Sequence, residues 1–134
     1  MPHVDLIEET WLAVAAPRVA AEVHEPGFAA ALWPDLTLAL HKDRGPAGLQ
    51  WTVTGPLVGS CEVWLEPRGD GVTAHTFLRA DVTRRGSATE AADLPRRRAV
   101  AEQARRARHA KAVWWAVKDR LEGGRRPGEP AVPA

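Results

Sequence analysis

The chain has 134 residues and a formal net charge of +1, which predicts one domain and argues against nucleic acid as its partner. Its single cysteine, Cys61, excludes an intrachain disulfide, and no apolar run approaches the ~18 residues of a membrane-spanning helix. Residues 1–6 lack the basic and then apolar pattern of a signal peptide, so we expect a soluble cytoplasmic protein.

The first part of the chain predicts one strand followed by two short helices. Residues 4–14 are rich in bulky and β-branched side chains, which favour a strand. Pro17 stands at a position suited to the first turn of a helix. This helix should end near Glu25, because the residue before Pro26 is disfavoured in a helix. Pro26 can open a second helix that runs to Ala31.

The middle of the chain predicts an antiparallel sheet. Apolar residues alternate with polar ones, as they do in half-buried strands, and turns rich in Gly, Pro and Asp separate the alternating segments. The predicted strands comprise residues 36–41, 49–54, 57–66 and 72–82. With the first strand, the count is about five.

A single long amphipathic helix is predicted over residues 94–122, and at ~1.5 Å per residue it would span roughly 43 Å. Asp93 or Thr89 could cap it, and Gly123 ends it. The side chains of its apolar stripe are small in the first half of the helix and bulky in the second. Small side chains predict either close packing on the sheet or room for a ligand. The Pro- and Gly-rich residues 123–134 are expected to be disordered. The stripe consists of Val100, Gln103, Ala107, Ala110, Trp114, Val117 and Leu121.

Short segments along this order of elements resemble those of a known family. They are AAPRV at 15–19, LWPDL at 32–36, GLQWTVTG at 48–55, EVWLEP at 62–67, GDG at 69–71, FLRAD at 77–81, and KAV at 111–113 with LE at 121–122. Through them residues 4–122 resemble the START-like or Bet v 1-like superfamily, in particular its polyketide cyclase/dehydrase-like bacterial members. The resemblance implies a single α+β domain with the helix-grip fold, over residues 1–122, in which an antiparallel sheet wraps one long C-terminal helix. Members usually have six or seven strands, so five strands imply a shortened sheet and a smaller cavity.

The implied cavity lies between the sheet and the long helix. The resemblance points Leu12 inward, which places Glu8 and Thr10 on the same face of the first strand. Burial disfavours a charged carboxylate that lacks a partner, so Glu8 is the best candidate for proton transfer or for anchoring a ligand. The alternative is a structural Glu8, bonded to a backbone amide or exposed by a register shifted by one. The predicted ligand-binding set is Glu8, Thr10, Trp33, Trp51, Thr76, Leu78, Gln103, Ala107, Lys111 and Trp114.

The common catalytic and metal-binding signatures are missing from the sequence: it contains no HExxH, GxSxG, P-loop or CxxC motif. We therefore expect no metal and no cofactor, and whether the protein is an enzyme stays open.

The outer face of the predicted sheet carries Trp64 and Phe77 among Glu62, His75 and Arg79. An aromatic patch with a polar rim is typical of an interface centre, so we expect a homodimer through this face or through a sheet edge. The arginines opposite the helix stripe, Arg98, Arg105 and Arg108, indicate a solvated surface rather than a nucleic-acid or membrane contact.

Three functions fit these features. The leading hypothesis is a module that binds a hydrophobic, aromatic or polyketide-like small molecule. The second is a cyclase or dehydratase that uses Glu8 for proton transfer, and the third is a protein–protein module whose cavity is filled by its own side chains.

Overall fold

In a computed structural model, which describes residues 1–134, five antiparallel strands form one open sheet in the order β1-β5-β4-β3-β2. The elements are β1 (Val4–Leu12), α1 (Ala16–His24), α2 (Pro26–Leu32), β2 (Thr37–Asp43), a 3-10 turn (Gly45–Ala47), β3 (Gly48–Thr54), β4 (Leu57–Arg68), β5 (Gly71–Val82) and α3 (Arg96–Glu122). The predicted α+β architecture is confirmed, with its five strands, two short helices and long last helix.

Alternation along the strands decides which face of the sheet is buried. Every second residue of β1 is buried, which turns Leu6, Glu8, Thr10 and Leu12 toward the helices. Trp33 and Trp114 are at most 1% exposed. These two large rings belong to one continuous hydrophobic core, so the centre of the space between sheet and helices is filled with side chains.

The long helix is buried only in its second half. Its buried residues begin at Arg106 and end at Leu121, whereas Val100 is 57% exposed. The predicted caps Asp93 and Thr89 are wrong: Pro95 occupies the N-cap position without a side-chain hydrogen bond, and the backbone N–H of Thr89 donates instead to Ser87 Oγ, at 3.2 Å, in a turn. The first half of α3 therefore extends past the core.

Side chains of α3 cover the free edge of β1. The backbone N–H of Asp5 donates to Gln103 Oε1 at 2.9 Å, and Lys118 Nζ donates to the carbonyl of Trp11 at 2.8 Å. The N–H of Ala13 donates to Glu122 Oε2 at 2.9 Å. An edge strand with unpaired backbone groups is a template for association, and these three contacts cap the edge at both ends of β1.

The opposite edge of the sheet, β2, is mostly exposed. Its pairing with β3 shifts between Leu40 and Lys42, which makes a bulge at His41. A bulge and a nearby lysine are common means of protecting an edge strand.

Residues 123–134, which the sequence predicts to be disordered, fold back onto the domain in the structure. The N–H of Val132 donates to Ala13 O at 2.8 Å, and the N–H of Ala15 donates to Val132 O at the same distance. Val132 is half-buried and packs against the core. This single apolar contact is not visible in the composition of the segment.

Candidate functional site

An open groove of about 770 Å³ runs between the first half of α3 and the start of β1. Its helix wall is built largely from small residues, which leave space where larger side chains would meet the N-terminal segment. This volume exceeds the ~300 Å³ at the lower end of small-molecule sites. The lining residues are Met1, Pro2, His3, Asp5, Leu94, Arg96, Ala99, Val100, Gln103, Ala104 and Ala107.

Backbone hydrogen bonds hold two polar side chains of this groove in place. The N–H of Val82 donates to His3 Nδ1 at 2.9 Å, and the N–H of His3 donates to Asp81 Oδ1 at 3.0 Å. Gln103 is fixed by its bond from the N–H of Asp5. The polar groups of the groove are thus positioned by β1 and β5, which are rigid parts of the sheet.

Glu8 lies on the inner face of β1 and is 5% exposed. The hydroxyl of Thr10 donates its one proton to this carboxylate, with Oγ1 2.8 Å from Oε1 and 3.1 Å from Oε2, and Lys111 Nζ donates to Oε1 at 3.1 Å. Lys111 is largely exposed, so the carboxylate is paired at the border between core and solvent. Three predicted site residues therefore form one hydrogen-bonded cluster.

The other predicted residues divide between the groove and the core. Gln103 and Ala107 line the groove. Trp33, Thr76, Leu78 and Trp114 are fully buried core residues, and Trp114 Nε1 donates to Thr76 Oγ1 at 2.6 Å. Trp51 is buried in the core and also lines a separate depression on the outer face of the sheet.

The thiol of Cys61 is buried, with 2% of the residue exposed. Trp33 Nε1 donates to its Sγ at 3.2 Å. Burial raises the pKa of Cys61 to about 12, and a thiol is a weak nucleophile until it ionises.

The outer face of the sheet carries an aromatic stack. The ring of His75 lies 4.5 Å from that of Trp64 and 6.3 Å from that of Phe77. In the register, Trp64 stands opposite His75 while Phe77 stands opposite Glu62. The two predicted interface aromatics are thus joined through His75, and a shallow depression of about 460 Å³ adjoins Phe77.

A buried arginine cluster escaped the sequence analysis. Arg106 is 3% exposed, binds Asp35 and Glu102, and lies over the ring of Trp33. Its position on the helix could have predicted its burial, because Arg106 follows Gln103 by three residues and precedes Ala110 by four, which is the spacing of the stripe. The cluster joins α3 to the end of α2 and to the loop that follows it, and none of its residues lines the groove.

The structure contains no group of three His, Cys, Asp or Glu side chains arranged to hold a metal ion. None of its helices is long and apolar enough to cross a membrane.

No protein-family model and no curated protein sequence matches the chain. Solved structures do match. The structure of DR_A0006 from Deinococcus radiodurans has a TM-score of 0.61 at 10% identity, over 90% of this chain and 99% of that one. The Aha1 dimer from Colwellia psychrerythraea has a TM-score of 0.61 at 9% identity, over 92% of this chain and 99% of that one.

A third structure, Ara h 8.0201, matches at 15% identity over 84% of this chain and 96% of that one, and its TM-score of 0.38 is too low to support an argument. At identities near 10%, the two stronger matches show a common fold. The chain therefore has the helix-grip fold, in which one antiparallel sheet packs against a long C-terminal helix.

Proposed function

We propose that the protein binds a hydrophobic small molecule, aromatic or polyketide-like, in the open groove beside the first half of α3. The observation that supports this proposal is the groove itself. It is large enough for a ligand, it is lined mainly by apolar side chains, and it contains two of the sequence-predicted residues, Gln103 and Ala107. We propose that the protein is cytoplasmic, a compartment in which its single thiol, Cys61, stays reduced.

The site differs from the cavity implied by the resemblance. Trp33 and Trp114 occupy the centre of the space between sheet and helices, so a ligand has room only where α3 carries alanines. The shortened sheet and the bulky second half of the helix stripe account for this displacement toward the end of the sheet.

A groove-blocking variant tests the proposal. Ala107→Trp places a large ring on the groove wall, and Ala112→Trp is the matched control because Ala112 is exposed on the same helix. With 2-naphthylmethanol as the probe in calorimetric titration, we expect binding to the wild type and to the control, and binding at least about tenfold weaker to Ala107→Trp. Unchanged binding to Ala107→Trp contradicts the proposal. Severe destabilisation by Ala107→Trp means that the alanines serve close packing.

The enzymatic alternative depends on Glu8. As a proton-transfer residue in a cyclase or dehydratase, Glu8 would have to exchange its bonds to Thr10 and Lys111 for a bond to substrate. The structure therefore supports binding better than proton transfer at this residue.

We also propose that two copies associate through the outer face of the sheet. Trp64 is 36% exposed on a stack with His75 and Phe77, and one structure with the same fold is a dimer. Light scattering after size exclusion should show a dimer that Trp64→Glu dissociates. A monomer at high micromolar concentration contradicts the proposal, and a dimer unaffected by Trp64→Glu places the interface elsewhere.

A further inference from the structure

The partners of His3 determine which of its ring nitrogens carries the proton. A backbone N–H can only donate, so His3 Nδ1, which lies 2.9 Å from the N–H of Val82, must accept. The neutral ring then carries its proton on Nε2. His3 Nε2 has no hydrogen-bond partner within the protein and is not a buried polar atom, so this N–H is accessible as a donor on a residue that lines the groove.

The same reasoning orients the amide of Gln103. The N–H of Asp5 donates to Oε1 at 2.9 Å, so the oxygen is the atom that faces β1. The two protons on Nε2 are left without a protein acceptor. Gln103 therefore offers a second donor in the groove.

Arg96 contributes the charge. It is exposed and lines the groove. The one carboxylate that lines the groove, Asp5, lies 3.7 Å from Arg79, measured from Oδ1 to Nε, so Arg79 offsets part of its charge. The arginines that form ion pairs are Arg44, Arg68, Arg79, Arg84, Arg105, Arg106 and Arg120, which leaves Arg96 free for a ligand.

These three donors line one stretch of the groove. Arg96 and Gln103 are seven residues apart and face the same side of α3, about 10 Å from each other along the axis. The contacts of α3 with Asp5, Trp11 and Ala13 occur in increasing order along both elements, so α3 and β1 run in the same direction. His3 precedes Asp5 by two residues and therefore lies on the Arg96 side of Gln103.

We propose that the ligand of this groove is an amphipathic organic anion. Its carboxylate, or an equivalent acidic oxygen group, binds among His3, Gln103 and Arg96, and its apolar body lies along Ala99, Ala104 and Ala107. Donors without free acceptors select an acceptor-rich group, and hydrogen bonds to a charged group are stronger than neutral ones. This inference rests on the proposed function, since it names the class of ligand for the same groove.

Two probes of matched shape test the preference for an anion. 2-Naphthoate carries a carboxylate, and 2-naphthylmethanol carries a neutral hydroxyl group in its place. We expect the wild type to bind the carboxylate at least about fivefold more tightly than the alcohol. Gln103→Glu keeps an acceptor for the N–H of Asp5 and replaces the free donor with a negative charge. It should remove this preference, because the affinity for 2-naphthoate should fall much more than the affinity for 2-naphthylmethanol.

Arg96→Gln should weaken 2-naphthoate by about threefold or more, and Arg97→Gln, the exposed neighbour that does not line the groove, should leave it unchanged. If Gln103→Glu lowers the thermal midpoint strongly, the effect of Arg96→Gln on 2-naphthoate binding tests the preference for an anion in its place. Equal affinities of the wild type for both probes contradict the proposed preference for an anion, and so does an affinity for 2-naphthoate that neither Arg96→Gln nor Gln103→Glu changes. Neither result contradicts the groove as the binding site. Binding of both probes that Ala107→Trp does not weaken overturns the groove itself.

Discussion

Arg106 and Asp35 form a two-pronged ion pair, in which two guanidinium nitrogens each lie 2.7 Å from a different carboxylate oxygen. Burial alone would lower the pKa of Arg106, but its bonds to Asp35 and Glu102 outweigh burial and raise that pKa above its ordinary value. The bond from Arg106 holds the pKa of Asp35 below its usual value. The pair joins the middle of α3 to the loop between α2 and β2.

We expect Asp35→Ala to lower the free energy of unfolding by about 1–2 kcal/mol. Breaking a fully buried ion pair costs about 3–5 kcal/mol, and the loss is smaller here because Asp35 is 42% exposed and screened by solvent. Urea unfolding measures the change. The control is Arg105→Ala, an exposed arginine that also contacts Glu102 and should change stability by less than about 0.5 kcal/mol. A loss for Asp35→Ala no larger than that of Arg105→Ala would mean that the Asp35 pair adds no more stability than an exposed ion pair.

The hydrogen bond between Trp114 and Thr76 should contribute to the stability of the core. Thr76→Val leaves the indole N–H of a fully buried ring without a partner, which costs about 1–3 kcal/mol. Adding Trp114→Phe should cost less than the sum of the single changes, with a coupling of about 1 kcal/mol in a double-mutant cycle. Trp115→Phe, at the exposed neighbouring position, is the control. If the changes in the free energy of unfolding are strictly additive, the hydrogen bond does not contribute to stability.

Glu8→Gln should keep the thermal midpoint within a few degrees. Gln still accepts the bond from Thr10, and the freed Lys111 is mostly exposed and regains water. Differential scanning calorimetry, with Glu9→Gln on the outer face of the same strand as control, measures the change. A loss of ten degrees or more would show that the carboxylate is a structural partner that the fold requires.

His24 should make stability fall as the pH rises through its raised pKa. A hydrogen bond to Asp43, and a second to the carbonyl of Ala20, raise the pKa of His24 above 6.5. The contribution is therefore fully present below pH ~6.5 and is lost as the pH rises through the raised value. The pKa of Asp43 is lowered by the same bond, so its contribution is lost only when the pH falls through that lowered value.

Asp43→Asn should accordingly lower the thermal midpoint by about 1–3 °C at pH 5.5, a small shift because the pair is exposed. The difference between variant and wild type should shrink at pH 9, where His24 is neutral in both. A difference of the same size at both pH values would show that the contact is independent of the imidazolium charge.

The fold was predictable because periodicity and turn residues are local signals. Alternation from Leu57 to Val82 fixed two strands and their faces, and the helix stripe placed Ala110, Trp114, Val117 and Leu121 in the core as the structure has them. The helix start at Arg96 was missed because Pro95 takes the N-cap position without a side-chain bond, which no capping pattern signals.

The site was less predictable because it depends on how far each element extends past its neighbours. Periodicity puts Val100 and Ala107 on the same stripe as Trp114, but Val100 is 57% exposed, and Ala107 packs against the core and also lines the groove. Likewise, the pairing of Glu8 with Lys111 joins positions 103 residues apart, which local patterns do not encode.

The contacts that cover the edge of β1 have a consequence for synthesis of the chain. Gln103, Lys118 and Glu122 reach backbone groups 98, 107 and 109 residues earlier in the sequence. The first strand to leave the ribosome is therefore protected only by the last helix to do so. Until α3 emerges, β1 keeps an open hydrogen-bonding edge, and a chain that stalls after β5 carries an unprotected strand that can pair with other nascent chains.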